Sequence, residues 1–229
     1  MRIALRCLPG YAEHLPKPVL ARTALPDWLR TMPSTAHSPT AGGEVRTLKQ
    51  CPPFLDAMQT GILFPLAADL TVENGEFSWD TGLPVHPVAR LSRAPIGVHV
   101  PEQATGAPFA DPDRFIVKFI NHWTVALPDG WSLLVTHPFN REDLPFRTLC
   151  GVVDNFADGL VHFPALWTDE RFCGTLCKGT PVAQAVPVCK NAPILDIGEM
   201  DQAALDRYLS IEDALHAEPG YYRKHHRRG

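Results

Sequence analysis

Between residues 115 and 135 the apolar side chains keep a period of two. Phe115, Val117 and Phe119 alternate with Ile116, Lys118 and Ile120. Trp123, Val125 and Leu127 continue the pattern, and Trp131, Leu133 and Val135 resume it after Pro128-Asp129-Gly130. Such a period sends alternate side chains to opposite faces of a strand. The interruption is a turn with a mechanism: proline presets the first turn dihedral and glycine accepts the positive one. Residues 148–153, 159–167, 171–177 and 181–189 read as further short strands, with turn signals near Asp154-Asn155 and Lys178-Gly179. Short strands divided by regular turns predict a mainly β fold, an antiparallel barrel or sandwich. The 23 prolines among 229 residues, about twice the ordinary share of roughly 5%, argue against a helical bundle.

The flanks read differently. Residues 1–50 show no sustained period and are expected as an irregular extension, with one helical turn at Pro26 to Arg30, whose Trp28 docks on the body, and an exposed loop from Pro33 to Gly43. Cys51-Pro52-Pro53 opens a short helix through Phe54, Leu55 and Met58, which Gly61 ends. Ile62 to Phe64 and Leu70 to Val72 predict strands, and Asn74-Gly75 a hairpin turn before Phe77 to Trp79. From Met200 to Ala217 there is no Pro or Gly, and Leu205, Tyr208, Leu209 and Leu215 fall near helical spacing, with Ser210 as a second helix start. The resulting division is an extension over 1–50, a β-rich core over 51–192, and a helical segment with a basic tail over 193–229.

Charge and cysteine usage narrow the function classes. The formal net charge is −4; the four basic residues Arg223, Lys224, Arg227 and Arg228 lie in the tail, so residues 1–219 carry −8. An acidic body disfavours nucleic acid as a partner. No window approaches the roughly 18 apolar residues of a membrane span, and the first residues lack the apolar run of a secretory leader, so a cytoplasmic location without membrane association is expected. Six cysteines are too sparse for a disulfide scaffold and read as buried, inert thiols. Cys173, Cys177 and Cys189 offer three zinc ligands as an alternative, although zinc sites more often use a two-residue spacer and a clear fourth ligand.

Three segments recur in a telling order: Leu127 to Arg141, with Pro128-Asp129-Gly130 before a strand; Gly151-Val152-Val153-Asp154 with Gly159 beyond; and Gly179-Thr180-Pro181-Val182-Ala183-Gln184. Together they resemble the dUTPase and dCTP deaminase superfamily over residues 115–190. The resemblance implies a β-clip fold, a small anionic ligand such as a nucleotide, a hydrolase of nucleotide-like substrates, and a homo-oligomer with sites between subunits. It departs from the family where His137-Pro138-Phe139-Asn140-Arg141 replaces an Arg-Ser phosphate contact, where Ala157 replaces the aromatic that stacks on uracil, and where Tyr221 to Gly229 replaces a glycine-rich arm. The whole chain also resembles a family of bacterial and tailed-phage proteins through Cys51-Pro52-Pro53 and His137 to Arg141, which implies no activity.

Asp154 is the candidate catalytic carboxylate: the resemblance implies that it contacts the sugar and orients water, and a turn-capping role is compatible with that. Asn140, Arg141, Arg147, Gly151 and Gln184 are the candidate substrate contacts. An arginine forks onto a phosphate or equally onto Glu142 or Asp143, and a buried glutamine needs partners for both amide atoms. His86, His99, His122, His137 and His162 lie in or beside the β body without ligand spacing, which leaves a metal-dependent enzyme as an alternative. No cofactor is specified. A non-catalytic binding or assembly module is the third reading. Trp131, Phe139, Phe146, Phe156, Phe163 and Trp167 near predicted turns are expected to supply apolar contact surface.

Overall fold

The computed structural model describes residues 1–87, 90–154, 156, 159–218 and 220–227. Its elements begin with β1 (Ala4–Arg6), β2 (Val19–Leu20), α1 (Asp27–Thr31), β3 (Thr35–Ser38), β4 (Gly43–Arg46) and α2 (Pro52–Gln59). There follow β5 (Ile62–Pro65), β6 (Leu70–Glu73), β7 (Glu76–Trp79), β8 (Ile96–His99), β9 (Ile116–Phe119), β10 (Thr124–Ala126) and β11 (Trp131–Thr136). The chain ends with β12 (Phe146–Thr148), β13 (Gly151–Val153), β14 (Phe163–Trp167), β15 (Gly174–Leu176), β16 (Pro181–Cys189), α3 (Gln202–Ala217) and α4 (Tyr221–His225). They form two compact units, residues 1–30 with 57–190 and residues 31–56 with 191–229.

The first unit is built of open antiparallel sheets: β13-β11-β16-β5-β2, β12-β14-β9-β8, β15-β6-β7, and the pair β1-β10. No sheet closes into a barrel among the described residues. The five-stranded sheet contributes Phe64, Leu133, Val135, Ala183 and Ala185 to the main core, and the four-stranded sheet Val117, Phe119, Phe146, Phe163 and Ala165. The Phe64 and Phe163 rings meet at 5.2 Å, and Phe119 and Phe146 at 4.6 Å. The turns predicted at Pro128-Asp129-Gly130 and at Asn74-Gly75 form as read. Trp131 N donates to Pro128 O (3.3 Å), and Asn74 and Gly75 both take positive φ (53° and 81°) between the paired Glu73 and Glu76. Gly61 is obligatory: its φ is +79°, and a Cβ there would sit 2.2 Å from Ala185 O.

Several expectations are corrected. The first thirty residues are not wholly irregular; β1 pairs with β10 and β2 with β5, strands of three and two residues that no periodicity can reveal. Tyr11 and Leu15 seat a second small core with Ala67 and Leu83. Phe146 and Phe163 are buried rather than exposed, because the two sheets close over them. In α1 Leu29 is the buried residue and Trp28 is partly buried.

In the second unit, the segment from Pro33 to Gly43 is not all loop. It folds as the β3–β4 hairpin, with Thr47 Oγ1 donating to Pro33 O (2.6 Å). The helix α3 runs without a break at Ser210. Its cap is Asp201, whose side chain accepts from Ala204 N (2.7 Å). The tail through His225 is helical. Lys224 bonds Glu218 (2.6 Å) and Arg227 pairs with Asp56.

Candidate functional site

The three motif segments become neighbouring strands. In the five-stranded sheet β11 is central, flanked by β13 and β16. Val153 pairs with Leu133, so Asp154, one residue beyond β13, comes level with Ser132. Cys189 pairs with Trp131, and the next residue, Lys190, donates its N–H to Gly130 O (3.0 Å). The Pro128–Gly130 turn thus fixes both neighbours of Asp154. The Ser132 hydroxyl donates to Asp154 Oδ1 at 2.7 Å, and Lys190 Nζ lies 3.0 Å from the same oxygen.

Ser132 is buried, whereas the Asp154 side chain is 72% exposed. The Ser132 hydrogen bond first, and Lys190 second, hold the Asp154 carboxyl below the usual carboxylate range. At neutral pH it is an anion with its second oxygen facing water. Such a group accepts a hydroxyl or orients a water; as a free proton acceptor it is weakened by those same partners.

The other candidates gather at the far end of β11. Ser132 and Thr136 are four residues apart, roughly 13 Å along a strand. Beyond Thr136 the His137 to Arg141 turn is a structural latch. His137 Nδ1 accepts from Thr148 N (3.3 Å) and Nε2 donates to Arg141 O (2.9 Å). Burial pushes the His137 pKa down, consistent with a neutral ring in these roles. Asn140 is exposed with φ of 58°, and Arg141 N closes the turn onto Pro138 O (3.2 Å).

Arg141 forks onto Asp143 at 3.0 and 3.3 Å, the surface pairing rather than an open anion site. Gln184, 1% exposed, has all its needs met: Oε1 accepts from Phe139 N (2.9 Å), and Nε2 donates to Ala57 O (3.0 Å) and Thr60 O (2.6 Å). Gly151 lies exposed opposite Val135, with open space where a Cβ would stand. Arg147 is exposed on β12, in the other large sheet. One chain therefore holds Asp154 apart from Asn140, Arg141 and Gln184. Asn155, Ala157, Asp158, Arg228 and Gly229 lie outside the described residues.

His86 and His122 both pack against Tyr11, and His162 lies near His122, without forming a ligand set. His99 Nδ1 bonds Gln103 (3.1 Å), and His162 Nδ1 accepts from Asn121 N (3.2 Å). No three His, Cys, Asp or Glu side chains converge as a metal set among the described residues. The thiols are not buried as expected: Cys150, Cys173, Cys177 and Cys189 are exposed. The turn at Asp111 to Arg114, which the sequence did not single out, and the aromatics beside it line a cavity of the first unit away from Asp154. Phe109 and Phe115 flanking three charges were the available signal.

No family model matches the chain, and no curated protein matches it. Among solved structures it is similar to a point variant of the dUTPase from phage phi11 of S. aureus, at 12% identity and a TM-score of 0.41, covering 87% of this chain and 98% of that one. It is also similar to a variant of the Staphylococcus bacteriophage 80alpha dUTPase with dUpNHpp, at 12% identity and a TM-score of 0.37, covering 88% and 90%.

Proposed function

We propose that the chain is a dUTPase-like protein that binds a small anionic ligand of the nucleotide class at the Asp154 end of the five-stranded sheet. One observation carries this reading. The Gly151-Val152-Val153-Asp154 segment ends a strand and presents an ionised, exposed carboxylate between a buried hydroxyl and an ammonium group. That pair offers a nucleotide two complementary handles: Asp154 accepts a sugar hydroxyl, and Lys190 meets a phosphate oxygen. In hydrolysis, water oriented by Asp154 attacks phosphorus and gives up a proton to solvent, the phosphoanhydride P–O bond breaks, and the departing phosphate takes the electron pair. Arg147, exposed, and Arg141, once released from Asp143, supply positive charge to the developing anion from a second copy of the chain.

The separation of Asp154 from the His137 to Arg141 turn supports a site completed by a second copy. Assembly has support of its own. Ile194, Leu195 and Ile197 are 97%, 78% and 87% exposed, and α3 buries no side chain, an apolar surface that favours contact. This also supports the reading as an assembly module on the same fold. Thermal unfolding of the full chain with dUMP, dUTP and dUpNHpp separates them. A nucleotide-dependent rise that Asp154→Asn abolishes supports the site. No rise, with a multimer by light scattering, leaves assembly alone. Release of phosphate or pyrophosphate from dUTP tests hydrolysis.

A further inference from the structure

The first unit contains a cavity of about 640 Å³ that has no part in the Asp154 site. That volume suits a small molecule. Its floor is core: Ile96 and Val117 are buried residues of β8 and β9. Its walls carry five aromatic rings, Phe77, Phe109, Phe115, Trp167 and Phe172. Trp167 is the hub, edge-on to Phe77 at 5.0 Å and 89°, and to Phe172 at 5.7 Å and 69°. The indole N–H is already donated to Asp169 O (2.9 Å), so the ring offers a guest its π system and not its donor. Phe109 and Phe115 are 42% and 59% exposed, apolar surface that folding leaves in water beside the opening.

Charge decides what enters. The charged lining is Asp111, Asp113, Arg114 and Glu170, a formal −2. Arg114 is the single base there among the described residues, and it is occupied: Nε lies 3.0 Å from Asp111 Oδ2, and Nη2 donates to Glu170 Oε1 at 2.5 Å. An anion would have to displace both carboxylates and then face Asp113. A cation meets surplus carboxylate at the rim and aromatic walls within, and aromatic π systems attract positive charge. We propose that this cavity binds a small organic cation with an aromatic or apolar body, its ammonium group at the Asp111, Asp113 and Glu170 rim. This ligand is opposite in charge to the one proposed at Asp154, and the two sites are independent.

The test is calorimetric titration of the full chain with benzyltrimethylammonium, and with phenylacetate as an anion of similar size. The cation is expected to saturate one site and phenylacetate to give no heat. Asp113→Asn, in an exposed turn, should weaken the cation about two- to fivefold, the range for a partly exposed charge pair. Added salt should weaken it further. Val98→Trp, which fills the half-exposed β8 edge of the cavity, should abolish binding, and dUMP should not displace the cation. The proposal is overturned if the folded chain fails to bind benzyltrimethylammonium, if phenylacetate binds as tightly, or if both variants bind as the parent does.

Discussion

His122 makes the fold sensitive to mild acid, by an amount that follows from its surroundings. Its side chain is 3% exposed, both ring nitrogens are buried without a hydrogen-bond partner among the described residues, and the ring lies 6.2 Å from that of Tyr11 at 65°. Burial first, and the neighbouring His162 second, push its pKa down from 6.5 to about 4. The unfolded chain therefore takes up a proton from about pH 6.5 downward, while the folded chain refuses it until about pH 4. Between those values the unfolded state binds more protons, so stability falls as pH falls. The full difference corresponds to about 3 kcal/mol, of which about 2 kcal/mol is lost by pH 5. Replacing His122 by Phe removes the titrating group and both orphaned nitrogens and keeps a ring against Tyr11. Urea unfolding followed by tryptophan fluorescence at pH 8 and pH 5 measures the effect. The parent should lose about 2 kcal/mol more than His122→Phe between the two. His137 and His162, whose pKa values are also lowered by burial, contribute with the same sign in both proteins and cancel. Equal losses in parent and variant would refute the assignment of this pH sensitivity to His122.

Gly61→Ala should cost more than about 2 kcal/mol, because it combines a strained positive φ with a clash against the backbone of β16; thermal unfolding reads it as a fall of several degrees. Gln184→Leu should cost about 3 kcal/mol or more by leaving Phe139 N, Ala57 O and Thr60 O without their bonds, and urea unfolding reads it. Ser132→Ala and Lys190→Met should each raise the Asp154 pKa, because each removes a contact that lowers it; carboxyl NMR titration of Asp154 decides, and an unchanged value in either variant would refute it.

The β body was legible because its signals are local. Alternation depends on one face of a strand meeting the core, and the turn residues at Pro128-Asp129-Gly130 and Asn74-Gly75 specify φ values that few other residues accept. What the sequence concealed depends on pairing at a distance. The strands β1 and β2 hold their places only through β10 and β5, across more than a hundred and about forty positions. The hairpin β3–β4 is almost wholly exposed, so no apolar period marks it.

The candidate site divides along the same line. Asp154 was readable because it closes a motif whose strand is fixed by its neighbours, and the structure places it level with Ser132 as that strand requires. Lys190 was not readable: it reaches Asp154 only because β16 flanks β11 on the side away from β13, a fact of sheet order. The His137 to Arg141 turn shows the converse. Its residues have the chemistry of anion binding, yet His137, Arg141 and Gln184 are engaged with Thr148, Asp143, Phe139 and the end of α2. Residue type alone cannot separate a group that holds a turn from one that waits for a ligand, since both require donors at the same spacing. Partners separate them. Among the predicted site residues for which side-chain bonds are described, Asp154 is the carboxylate that keeps an oxygen turned to water, and the proposed function is placed there for that reason.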